Sequence, residues 1–303
     1  MQIRGGRYRP PFLIGLCVIS KMLNISNFLN LSSLFCRTKN QQSLSNQRVA
    51  NHGFAGSGFA NHGFVLLALL LLIPFHAAAQ RLFSVEEQTK TVSGGKMRAA
   101  DKALWYTRGG NLVIRWTQSF NTYYTISTPF GFTDLYYPAS GESTTLDREM
   151  FNAADELLYT FAEGGAEDLG LSKQDFALKS TKKDGSYTVR RYEPRKSGGV
   201  CAWVELALDE DALPVCCTYY NKKGKVITKT YFSKYTSVKG FAFPMRVTEI
   251  SYLLEKNDST VRLDIYKNLQ VDVPDEQFGF HVPSGAKVVD MKAGLKAMKK
   301  SAK

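Results

Sequence analysis

Three extended runs near the end of the chain decide the fold: VITKTYFSKY at 226–235, FPMRVTEISYL at 243–253 and VRLDIYKNLQV at 261–271. The first two are rich in β-branched and aromatic residues, and Pro244 sits near the start of the second, where a strand tolerates it. In the third, Val261, Leu263, Ile265, Leu269 and Val271 alternate with Arg262, Asp264, Asn268, Gln270 and Asp272, and only Lys267 interrupts the apolar series. A period of two gives a half-buried strand with one apolar face, so the apolar set is expected to point inward. Long antiparallel neighbours of this kind form a curved sheet that must cover its apolar face.

Upstream, the pattern stays β-rich. Ala103–Thr107 and Leu112–Thr117 flank the turn signal Arg108-Gly109-Gly110-Asn111, with Leu112, Ile114 and Trp116 on one face of the second run. Thr122–Thr128 and Thr133–Tyr137 follow as further short strands, then Phe176–Ser180, Tyr187–Tyr192 and a hairpin at 200–221 around Asp209-Glu210-Asp211. One stretch changes period. From Asp147 to Glu163 the apolar residues Met150, Phe151, Ala154, Leu157, Leu158 and Phe161 recur at three and four, which predicts a helix ended by Gly164-Gly165. The expected class is therefore α+β: an unclosed half-barrel of about ten antiparallel strands covered by a few helices.

The ends of the chain differ from its middle. Seven of the 39 basic residues and none of the 27 acids precede Gln80, so the remaining 32 basic residues leave a net +5 rather than +12. That excess is mild and no basic face with stacking aromatics is evident, so nucleic acid is not expected as a partner. Phe64–Phe75 (FVLLALLLLIPF) is a continuous apolar run followed by Ala77-Ala78-Ala79, the pattern of an export signal cleaved near Ala79. The run is shorter than the roughly 20 residues of a membrane span. The expected organisation is an extension and signal peptide at 1–79, one domain at 80–290 and a basic tail at 291–303.

Chemistry-bearing residues are sparse. His281 is the single histidine after Gln80, and there is no phosphate loop, HExxH or CxxC. No catalytic constellation, metal site or cofactor is expected. Cys201, Cys216 and Cys217 remain after the signal; Cys201 and Cys217 are candidates for a cross-strand bridge, with buried free thiols the other reading. Aromatic residues are abundant on the strands, and they suit either a packed core or a hollow that takes a lipid.

The strand GNLVIRW at 110–116, the following TYYTIST, the phrase DALPVCCTYYNKKGKVITKTYFSKY and the ending FGFHVPSGAKVVD resemble the LolA family of periplasmic lipoprotein carriers. The residues that match the family's closing strand, proline, glycine and final strand are Phe278, Phe280, Pro283, Gly285 and Val288-Val289, and the similarity runs from about Phe83 to Asp290. The resemblance implies an open barrel whose hollow holds lipoprotein acyl chains under a helical lid. It implies a periplasmic monomer loaded by an inner-membrane lipoprotein-releasing ABC transporter and unloaded at an outer-membrane receptor. The candidate lining is Leu112, Ile114, Trp116, Val261, Leu263 and Ile265, with Met150, Phe151, Leu157, Leu158 and Phe161 on the lid. The family's lid-latching Arg-Pro is replaced by Arg115-Trp116, so Arg115 is a candidate latch, with a surface arginine paired to an acid as the other reading. A sensor of the same fold and a lipid-processing enzyme are the alternatives.

Overall fold

The structure, a computed structural model, describes residues 80–118, 121–146, 151–196, 199–253 and 258–290. The apolar run at 64–75, the cleavage site, Met150 and the tail lie outside the described residues. Fourteen strands form a single sheet. In chain order they are β1 (Leu82–Ser93), β2 (Lys96–Thr107), β3 (Leu112–Gln118), β4 (Asn121–Ser127), β5 (Thr133–Tyr137) and β6 (Glu142–Leu146), then β7 (Phe176–Asp184), β8 (Tyr187–Pro194), β9 (Cys201–Leu208), β10 (Pro214–Asn221), β11 (Val226–Val238), β12 (Phe241–Leu253), β13 (Asp258–Val271) and the two-residue β14 (Lys287–Val288). One α-helix, α1 (Leu157–Ala162), lies between β6 and β7. The sheet order is β14-β6-β5-β4-β3-β2-β1-β13-β12-β11-β10-β9-β8-β7. Every pairing is antiparallel except β14 with β6.

Two meanders, β1–β6 and β7–β13, run outward in opposite directions from the β1–β13 pair. Because β6 and β7 lie toward opposite edges, the connection between them must cross one face. It does so as a 3-10 turn (Ala153–Asp155), α1, and two further 3-10 turns (Gly165–Glu167 and Leu171–Gln174). The face it crosses holds the main core, including Phe83, Leu104, Tyr106, Leu112, Ile114, Phe243, Tyr266 and Val271. The opposite face carries a smaller cluster, Ala103, Trp105, Val113 and Ile126, against which Phe278, Phe280 and Val282 pack. Phe280 stacks on Tyr124 at 4.2 Å between ring centroids, and Trp105 Nε1 donates to Asp275 Oδ2 at 3.1 Å. The FGFHVP segment is thus an outer cover, opened by a 3-10 turn at Glu276–Gly279, rather than a further long strand.

Three expectations are corrected. Among the described residues the helix predicted from Asp147 shrinks to six, and Leu82–Ser93 adds a strand, β1, to those expected. Of the two readings of the cysteines the bridge is excluded: Cys201 stands opposite Asn221 and Cys217 opposite Leu206, out of register, and no disulfide joins Cys201, Cys216 and Cys217. The third correction concerns β13. Thr260, Asp264 and Tyr266 are buried on the inner face, while Val261 is 37 % exposed and Leu263 and Ile265 are half-buried on the outer one. Alternation identifies two faces but does not say which is inside.

A bulge then exchanges the faces. Glu86 pairs with Lys267 and Ser84 with Gln270, so one residue of β1 faces two of β13. Asn268 takes φ +54° in the bulge and donates from Nδ2 to Glu86 Oε2 at 3.0 Å. Beyond it, Leu269 and Val271 join the inner core. We expect Asn268→Gly to change stability by no more than about 0.5 kcal/mol and Asn268→Val to cost about 1–2 kcal/mol, since a β-branched side chain resists that backbone region. Deleting Asn268 should abolish cooperative unfolding, because either Tyr266 or Val271 must then leave the core. Urea unfolding monitored by tryptophan fluorescence checks all three.

Candidate functional site

The site is the inner face beneath α1. Six residues cannot hold a helix alone in water, so packing and ties at its two ends fix α1. Leu158 and Phe161 are buried toward the sheet. Phe161 meets Phe243 edge-on at 5.4 Å, Phe243 meets Tyr266 edge-on at 5.0 Å, and Phe83 lies 4.6 Å from Phe241. The chain leaves the helix through Gly164, at φ +75°. It then passes Gly165, where a Cβ would meet the Thr160 carbonyl oxygen at 2.8 Å. The Gly-Gly pair therefore permits both the turn and the close approach.

Both ties are polar. Glu156, the residue before α1, makes no capping bond to the helix. Its Oε2 instead accepts from Lys102 Nζ at 3.0 Å. At the other end Tyr106 donates its hydroxyl to Glu163 Oε1 at 2.5 Å and accepts from Gly109 N at 3.1 Å. Burial, and then the Glu163 bond, push the Tyr106 phenol upward, so it remains a donor.

Lys102 anchors a buried ionic cluster. Its Nζ lies 2.9 Å from Glu87 Oε2 and 4.8 Å from the centre of the Trp116 ring. Arg262 binds Asp264 at 2.9 Å and reaches Glu87 at 3.6 Å. Burial alone would strip the proton from Lys102, but Glu156 and then Glu87 outweigh it and hold the ammonium above its ordinary range. The Thr89 hydroxyl sits 2.8 Å from Glu87 Oε1 and 2.8 Å from Asp264 Oδ1. One hydroxyl hydrogen serves one acceptor at a time, so Thr89 divides its bond between the two carboxyls. Arg262 grips Asp264, whereas burial pushes the Glu87 carboxyl above its ordinary range, against the pull of Lys102 and with the push of Asp264 and Glu156.

Leu112, Ile114 and Trp116 do line the inner face; Trp116 stacks on Tyr123 at 5.7 Å and donates to Thr125 Oγ1 at 3.1 Å. Leu158 and Phe161 are buried there, and Phe151 and Leu157 are half-buried against the same core. Val261, Leu263 and Ile265 do not line it, because the β13 bulge leaves them outside. Arg115 is also on the outer face, 5.4 Å from the Trp105 ring centre, and cannot reach α1. Its expected contact is made by Lys102, which sequence reading missed although it alternates in phase with Leu104 and Tyr106. Asp264, on the polar side of the alternation, is buried, and Glu87 is buried beside it. Among the described residues no group of His, Cys, Asp and Glu is placed to hold a metal ion.

No protein-family model and no curated protein matches this chain. Among solved structures, it is similar to a LolA superfamily protein from Nitrosomonas europaea, with 14 % identity, a TM-score of 0.45 and coverage of 66 % of this chain and 90 % of that one. A DUF1329 family protein from Desulfovibrio piger matches at 14 % identity and a TM-score of 0.44, covering 67 % and 90 %. A protein described as an outer membrane lipoprotein-sorting domain, from Vibrio parahaemolyticus, matches at 11 % identity and a TM-score of 0.42, again covering 67 % and 90 %. The described residues themselves form a large unclosed sheet, antiparallel but for β14, with one short α-helix.

The upward push of burial on the Glu87 carboxyl has a thermodynamic consequence. In the unfolded chain this carboxyl ionises in the ordinary glutamate range, near 4.5, while the folded protein retains the proton to higher pH. Across that interval the folded state binds more protons, so stability falls as pH rises. Glu87→Gln should flatten this dependence, gaining most over the parent at the alkaline end. Melting temperatures of both proteins from pH 5 to pH 9 test it; parallel curves would refute the assignment.

Proposed function

We infer that this chain is an exported, non-enzymatic carrier that shelters lipoprotein acyl chains against the inner face. It would take them from an inner-membrane lipoprotein-releasing ABC transporter and pass them, as a monomer in the periplasm, to an outer-membrane receptor. The supporting observation is how the cover is fastened: α1, only six residues long, lies on the aromatic and aliphatic inner face and is tied at its ends by Lys102–Glu156 and Tyr106–Glu163. Each buried methylene contributes about 0.8 kcal/mol, so acyl chains need an apolar cover in water. Release needs a cover that opens, and a short tied helix meets both demands. The sequence resemblance to the LolA family supports the same reading.

A lipid-processing enzyme is the second reading, and the convergence of Glu87, Lys102 and Asp264 favours it. Their polar atoms, however, are spent on one another and on Thr89, Glu156 and Arg262. A monomeric fluorescent fatty-acyl probe separates the readings. The carrier binds it and returns it unchanged; an enzyme returns product. Glu156→Gln with Tyr106→Phe should raise the release rate roughly fivefold for each about 1 kcal/mol of lid stability removed, with the melting transition still cooperative. Failure of the parent protein to bind the probe would end the carrier reading.

A further inference from the structure

The outer face of the sheet carries an apolar row that runs across four neighbouring strands. On β2, β1, β13 and β12, Met97 stands opposite Val92, Val92 opposite Val261 and Val261 opposite Ile250. Met97 is 71 % and Val92 44 % exposed, and Tyr252, the next outward side chain after Ile250, is 39 % exposed. Single exposed apolar residues are ordinary, but side chains aligned across adjacent strands form a continuous surface. β3 pairs with β2 only from Asp101 onward, so Met97 projects beyond that neighbour. The Phe278–Val282 cover packs elsewhere, on Ala103, Trp105, Val113 and Ile126.

The charges beside this row are predominantly positive. The row continues on β11 as Lys229, which faces Ile250 and lies 4.9 Å from the Tyr231 ring centre. Lys90 stands one step along β1, opposite Leu263. Lys225 lies four residues before Lys229, roughly 13 Å along an extended chain, in a β10–β11 turn that exposes Lys222, Lys223 and Lys225. Asn221 Oδ1 fixes that turn, accepting from Lys223 N and Lys225 N at 2.9 Å each. Asn221 pairs with Cys201, which brings the exposed Arg195 and Lys196 to the same end. Against these cations stand Asp101, Asp175, Glu205 and Asp258. Asp101 accepts from Gln88 and Glu205 from the Tyr220 hydroxyl, each at 3.2 Å, and Asp258 accepts from Ser259 N at 2.7 Å. Glu193 is matched by Arg191 at 3.0 Å, and between β12 and β13 the sequence pairs Glu255 with Lys256 in sign. The acidic Asp209-Glu210-Asp211 turn lies at the other end of β10.

We propose that this part of the outer face docks on an anionic bilayer surface, Met97, Val92 and Val261 entering the headgroup region while the β10–β11 turn lysines meet lipid phosphates. The excess of cations selects an anionic occupant, and the residue types select a bilayer over an acidic protein. Protein interfaces are depleted in lysine and favour the fixed fork of arginine. Mobile ammonium groups on a turn instead suit a diffuse negative surface potential, which attracts each of them within a Debye length. The apolar side chains stand out from strands, and a bilayer accepts them without shape complementarity. The docking surface is the sheet's outer side, so the proposal does not depend on what the inner face binds.

Two reporters in the full chain test it. Met97→Trp places an indole on the row. Phe132→Trp places one in the β4–β5 turn at the opposite end of the sheet, where Ser127 faces Leu112 and Leu112 faces Tyr106. Each is mixed with vesicles of phosphatidylglycerol and phosphatidylcholine, or of phosphatidylcholine alone, carrying brominated acyl chains. Quenching is read as the difference from the parent chain, so residues 64–75 and the native tryptophans, present in every sample, do not produce it. Anionic vesicles should shift the Met97→Trp indole to shorter wavelength and quench it while leaving the Phe132→Trp indole unchanged, and added salt should reverse this. Lys222→Ser, Lys223→Ser and Lys225→Ser should each weaken vesicle binding about fivefold, and Val261→Ser about threefold, with cooperative melting retained in every variant. An unquenched Met97→Trp indole in anionic vesicles, as expected if a second copy or an acidic protein covers the row, would overturn the proposal. Equal quenching of the two reporters would overturn it as well, since another segment would then hold the chain to the lipid. Equal quenching in both vesicle types would overturn the assignment to anionic lipid.

Discussion

The pairing of β1 with β13 is the interaction on which the rest depends. Each meander is built from local hairpins, but they become one sheet only when Leu82–Ser93 meets Asp258–Val271 across most of the domain's length. That contact closes the longest loop in the sheet and carries the largest entropic cost of closure. Every feature of the inner face is set there. The pairing brings Glu87 and Thr89 beside Arg262 and Asp264, and its one bulge decides that Tyr266, Leu269 and Val271 all reach the core.

The strands were legible in the sequence because period two and turn chemistry are local properties. Leu112, Ile114 and Trp116 could be placed on a shared face, and the Asp209–Asp211 turn located, without any tertiary knowledge. The orientation of β13 was not legible. Its two faces differ in polarity, yet the inner surface at that depth is itself polar, owing to Glu87, Thr89 and Lys102 on other strands. Which face a strand buries is a property of its neighbours. The bulge at Asn268 adds a parity change that the run VRLDIYKNLQV marks only by the misplaced Lys267.

The lid was half legible for a related reason. Leu157, Leu158 and Phe161 carry a real helical stripe, but a stripe fixes the buried face and not the helix length. Glu156 ends the helix early by turning its carboxylate to Lys102 rather than to the helix N-terminus. The latch itself could not be read from Arg115. Arginine and lysine residues alternate with apolar ones on both β2 and β3, and only the sheet's sidedness shows that Lys102 faces α1 while Arg115 faces the C-terminal cover.

A buried ionic cluster is a weak source of stability, since desolvation offsets most of the attraction. Its value here lies in how the tie responds to water. Two unit charges at 4 Å attract by about 4 kcal/mol at an effective dielectric constant of 20 and by about 1 kcal/mol in bulk water. While Leu158 and Phe161 keep the inner face dry, the Lys102–Glu156 pair holds one end of α1 firmly. Once the helix lifts and water enters, the same pair loses most of its strength, so opening weakens the tie that opposed it. Apolar contacts alone lack this property, because they are lost in proportion to the area exposed. A lid fastened by charge under an apolar cover therefore favours two states, shut and open, over a graded series. That is the behaviour a carrier needs if it is to hold its cargo in water and surrender it in one step.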